Sequence, residues 1–109
     1  MRTHQEIDER SMAMAELISA HIDADPTHAG LIKARQVCEY WLTLESVEKD
    51  VFVWHEILQQ EWPHVRAVLL NPSENGNRLR QSSPFIGILT KQERNLIYKR
   101  YGNHDKTSA

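Results

Sequence analysis

Four prolines, at positions 26, 63, 72 and 84, divide this chain more sharply than any other feature. Proline fixes its own φ, has no amide donor and biases the preceding residue away from helix, so no long continuous helix runs through these points. Between them apolar residues recur at helical spacing, and no segment shows the strict alternation of a half-buried strand. The pattern predicts an all-α fold, a compact bundle of five or six short helices.

The first helix is expected over about residues 5–23, where Ile7, Met14, Ile18 and Ile22 form one stripe with Leu17 and His21 beside it. Asp25-Pro26 offers a cap and a proline at the first helical position of a second helix that carries Leu31, Ala34, Cys38, Trp41 and Leu42 and runs to about Leu44. After a charged connector at 45–50, Val51, Trp54, Ile57 and Leu58 mark a third helix, and Pro63 starts a fourth containing Val65, Val68 and Leu69. Asn71-Pro72-Ser73 reads as a turn and a capping serine before a short fifth helix, Glu74 to Gln81, which Gly76 weakens. Thr90-Lys91-Gln92-Glu93 matches the capping box, and Leu96, Ile97 and Tyr101 continue the apolar pattern of a sixth. Residues 1–101 are expected to form a single helical domain and 102–109, GNHDKTSA, a flexible tail.

With 40% apolar and 26% charged residues, the composition is that of a folding chain and argues against wholesale disorder. The N-terminus lacks the basic start and apolar centre of a signal peptide, and no apolar run approaches the roughly 20 residues that span a bilayer. A cytoplasmic protein with no membrane contact is expected. Cys38, the single cysteine, reads as a small core residue rather than a reactive thiol.

Known catalytic signatures fail on spacing. His55-Glu56 opens like the zinc-protease pattern, but the fifth position is Gln59, and His64 lies beyond Pro63. His21, Asp23, Asp25 and His28 straddle a helix break, which argues against a metal site there. There is no phosphate-cradling glycine loop, nucleophile elbow or CxxC pair, so the expectation is a non-enzyme without cofactor or metal.

Charge is unevenly distributed. Residues 1–62 carry twelve acids and five bases, whereas residues 78–101 carry six bases and one acid, Glu93. The basic end suits an acidic surface, a phosphate or the acidic half of another copy; alternatively the two halves neutralise each other within one fold.

The segment RLRQSSPFIGILTKQER, residues 78–94, concentrates the remaining signal. Phe85, Ile88 and Leu89 are expected to anchor it in the core. Arg78, Arg80, Gln81, Ser82 and Ser83 then form the candidate partner-binding set, because a short turn requires no pair of guanidiniums beside it. Trp41 and Trp54 fit their helical stripes as interior rings. Trp62, outside both stripes and next to Pro63, is expected to be partly exposed and to be a further contact residue.

Three stretches, IDERSMAMAELISAHIDADP, VFVWHEIL and RLRQSSPFIGILTKQER, together resemble a group of short bacterial proteins that look like accessory or antitoxin-type components of mobile gene clusters. The resemblance implies action by binding another protein, such as a toxin encoded nearby, and carries over no catalytic role. Separately, LTKQERNLIYKRYGN is similar to the first helix of the helix-turn-helix in bacterial sigma factors. With seven residues after Gly102, a groove-reading second helix is not expected here, and the slightly acidic net charge disfavours nucleic acid as partner. A protein-binding module is therefore expected, with a homodimer as a further arrangement and a nucleic-acid-associated regulator as the alternative.

Overall fold

The computed structural model describes residues 4–85 and 87–101; the tail expected at 102–109, and Ile86, lie outside them. In chain order the helices are α1 (His4–Asp23), α2 (Ala29–Leu42), α3 (Lys49–Ile57), α4 (Trp62–Leu69), α5 (Glu74–Gln81) and α6 (Lys91–Tyr101). Among the described residues there is no strand. No described helix is long and apolar enough to cross a membrane.

The core follows the helical stripes. Ala15, Ile18 and Ile22 of α1 meet Leu31, Ala34 and Cys38 of α2, Val51 and Trp54 of α3, Val65 and Leu69 of α4, and Leu79 of α5. Phe85, fully buried, lies edge-on to Trp54 at 6.0 Å between ring centroids and tilted against Trp62 at 6.3 Å. Such aromatic contacts add to the area that the rings bury, so this cluster is the centre of the packing. Trp54 Nε1 donates to the Leu79 carbonyl at 2.8 Å, which ties α3 to α5 through a buried donor that would otherwise be unpaired.

Several helix ends form as the sequence predicts. Thr90 Oγ1 accepts from the Glu93 amide at 3.1 Å and Glu93 Oε1 accepts from the Thr90 amide at 2.9 Å, a closed capping box. Ser73 Oγ accepts from the Gly76 amide at the start of α5.

Others differ. The second helix starts at Ala29 rather than at Pro26, because the Asp25 carboxylate accepts from the Thr27 amide, the Thr27 hydroxyl and the Ala29 amide and closes a separate turn first. His28 leaves that turn with φ 50°, in the left-handed region. Trp62 is the first residue of α4, so its ring belongs to the stripe of Val65 and Leu69 and is buried, 5% exposed, instead of projecting outward. Its Nε1 donates to Asp23 Oδ1 at 2.7 Å, and Arg66 Nε reaches Asp23 Oδ2 at 3.0 Å, binding α4 to the end of α1. Trp41 is only partly covered, and Leu96, expected on the apolar face of α6, points to solvent. Helix α6 buries no residue fully; the His21–Glu93 contact of 2.7 Å and the Arg10 guanidinium, 4.9 Å over the Tyr98 ring, help hold it to α1.

Candidate functional site

The last turn of α5 distributes the RLRQSS residues between two faces of the molecule. Residues two apart on a helix do not share a face, and Arg78 and Arg80 accordingly have opposite environments. Arg78 is half exposed and its Nε lies 3.3 Å from Asp50 Oδ2 of α3. Arg80, expected among the partner-binding residues, is 6% exposed and serves the interior.

The Arg80 guanidinium donates through Nη1 to the Leu69 carbonyl at 3.0 Å and the Asn71 carbonyl at 2.6 Å, through Nη2 to Asn77 Oδ1, and through Nε to Ser11 Oγ at 3.2 Å. Leu69 ends α4, where the helix leaves carbonyls unpaired and presents the negative end of its dipole, so a buried cation is well placed there. Burial lowers the Arg80 pKa from its ordinary value, with Asp8 acting in the opposite sense through space. Four donated bonds make Arg80 a clasp between α1, the end of α4 and α5. The sequence signal was available in Asn71, Gly76 and Asn77: the first and last supply acceptors, and the glycine lets α5 pass against the Asn71 carbonyl, where a Cβ would sit 2.0 Å from the oxygen.

Gln81 and Ser82 face a different region. With Trp41 and Leu44 at the end of α2, Ser46, Val47 and Glu48 of the connector, and Val51 of α3, they line a groove of about 290 Å³. Trp41, Leu44, Val47 and Val51 make its floor apolar. Ser82 Oγ donates to Glu48 Oε2 at 3.2 Å, joining the two polar sides of the rim. Leu44 is 44% exposed, and Tyr40, one turn earlier on the same side of α2, is 64% exposed. Among the described residues this groove is where the sequence-predicted polar residues meet exposed apolar surface. Trp41, Leu44 and Val47 were missed as site residues because a stripe at helical spacing says which residues are apolar, not which of them a neighbouring element covers.

The remaining predicted residues lie elsewhere. Ser83 Oγ accepts from the Phe85 amide at 3.2 Å, and Ser83 lines a cavity against α1 and α6. Leu89 is buried with Phe85, while Ile88 is partly buried near Gly30 and Ile22. Trp62 is inside the core, as above. His21, Asp23 and Asp25 make the separate contacts already given, His28 lies against the Trp62 ring, and among the described residues no three His, Cys, Asp or Glu side chains come together to hold a metal. Cys38 is fully buried beside the Val51 carbonyl, and burial raises the pKa of its thiol.

Comparison of the chain with protein-family models, with curated proteins and with solved structures found no match in any of the three.

Proposed function

We propose that this protein is a protein-binding module, antitoxin-like or accessory in role, which takes an apolar segment of a partner protein into the groove over Trp41. One observation carries the reading: Trp41, Leu44 and Val47, none of them fully covered, line a groove together with the polar residues Ser46, Glu48, Gln81 and Ser82. An apolar floor with a few polar groups at its edge is the usual chemistry of a recognition surface, since the floor supplies affinity and the rim supplies orientation. The groove is built on the ends of α2, α3 and α5, and Arg78–Asp50 ties α5 to α3 beside it, so its geometry is set before a partner arrives. The antitoxin-like role rests on the resemblance of the three sequence stretches, and a protein encoded by an adjacent gene is the first partner to test.

Replacing Leu44 by Asp puts a charge on the floor without opening the core, because Leu44 is already half exposed. The parent chain, co-expressed with the products of adjacent genes, should capture one of them, and Leu44→Asp should weaken that capture at least about tenfold while the melting temperature stays unchanged. Undiminished capture by the variant would reject the groove. Recovery of nucleic acid in place of a protein, with affinity falling steeply as salt rises, would reject the protein-binding reading.

A further inference from the structure

A second cavity lies on the other side of α5, apart from the groove over Trp41. It is partly open to solvent and lined by Ser11, Met14, Ala15 and Ile18 of α1, Leu69 of α4, Arg80 and Ser83, Leu89, and Arg94 and Tyr98 of α6, with a volume of about 150 Å³. Most of this wall is apolar. Among the described residues the charged groups in it are the two arginines and no carboxylate lines it, in a chain whose acids outnumber its lysines and arginines.

Arg80 enters the cavity as a buried cation whose hydrogen-bond acceptors are all neutral: a hydroxyl, two carbonyls and an amide. Asp8 acts on it through space but makes no ion pair with it. The Arg94 residue is partly buried, and its guanidinium makes no hydrogen bond or ion pair with any described residue. A third cation, Arg10, lies over the ring of Tyr98, which lines the cavity. Arg80, Arg94 and Arg10 make the local potential positive, with Asp8 opposing it at Arg80, and the largely apolar wall weakens screening by solvent.

We infer that this cavity binds a small monocarboxylate with an apolar body, its carboxylate held by Arg94 beside Arg80 and its body lying among Met14, Ile18, Leu69 and Leu89. The planar guanidinium fork matches a carboxylate in two parallel hydrogen bonds, which favours an acid over a point anion. Size sets the body: a cavity of about 150 Å³ accepts a benzene-sized group, so the fitting acids have about six carbons beyond or including the carboxyl. A bare inorganic anion leaves the apolar wall unfilled.

The test is calorimetric titration of the full chain with benzoate and hexanoate, alongside benzyl alcohol and 1-hexanol, which match them in shape but carry no charge. At least one acid should bind saturably and raise the melting temperature as its concentration rises, and its alcohol counterpart should bind at least about tenfold more weakly. Arg94→Gln should remove that preference while leaving the unliganded melting temperature near the parent value, and Arg94→Lys should restore part of it. Three results would each overturn the inference: no saturable binding of either acid up to about 10 mM, equal binding of acid and alcohol, or acid binding that survives Arg94→Gln. Leu44→Asp, on the other face, should leave acid binding unchanged, which separates this site from the groove.

Discussion

At the scale of single residues, the lesson lies in two arginines with one leucine between them. Composition and local sequence give Arg78 and Arg80 the same reading, yet the turn of α5 sends one to solvent and the other inward. Arg80→Ala should lower unfolding stability by about 3 kcal/mol or more, because it removes hydrogen bonds from a charged donor and strands acceptors inside. Arg78→Ala should cost less, about 1–2 kcal/mol, since Arg78 is half exposed but its loss leaves the 15%-exposed Asp50 carboxylate without its partner. Urea denaturation of the two variants reads the difference, and equal stabilities would reject the clasp. Trp62 follows the same logic. A tryptophan beside a proline looked free of any stripe, but counting α4 from residue 62 places it in line with Val65 and Leu69.

At the scale of elements, α5 shows how little intrinsic propensity decides. Its sequence, ENGNRLRQ, contains two asparagines and a glycine within the first turn and a half and is a poor helix on its own. It is helical because Ser73 caps it, Leu79 is buried under the Trp54 donor, and Arg80 fastens it to α4 and α1. Gly76 is the critical position. In an exposed helix Gly→Ala stabilises by about 1 kcal/mol, but here the added methyl would meet the Asn71 carbonyl at 2.0 Å, and that carbonyl is also an Arg80 acceptor. Gly76→Ala should therefore destabilise, by about 2 kcal/mol, and a thermal melt that rises on this substitution would contradict the close packing of α5 against the 71–73 turn. The caps at Ser73 and Thr90 were legible because each is set within four residues of chain. The start of α2 was not, because Asp25 could cap a helix at Pro26 or close a turn, and the sequence contains donors for both.

At the scale of the whole molecule, the carboxylates of Asp23 and Glu93 join helices remote in sequence, and that of Asp25 closes the turn between α1 and α2. Asp23 is held below its ordinary pKa of 3.8 first by the Trp62 indole and then by Arg66; Asp25 is held below the same value by the Thr27 and Ala29 amides. Glu93 is held below its ordinary 4.5 by the Thr90 amide and by His21. Each is easier to protonate in the unfolded chain, so each contributes stability that is complete above these ordinary values and is lost as pH falls through the lower folded ones. The melting temperature should therefore drop as pH falls below about 4, and Asp23→Asn should flatten part of that decline. A melting temperature independent of pH down to about 2 would show that these links between α1, α4 and α6 contribute nothing. The sequence by itself determined the helical class, most helix positions, two caps and the burial of Phe85 and Trp54, because those depend on short-range backbone preferences and on the period of apolar side chains. Only the tertiary structure decided which arginine is internal, that Trp62 is buried while Trp41 and Leu44 remain at the surface, and that the predicted polar residues divide between a groove and a cavity. Those outcomes depend on which face of each helix another helix covers, and that is fixed by contacts between residues tens of positions apart, such as Arg80 with Ser11 and Trp62 with Asp23.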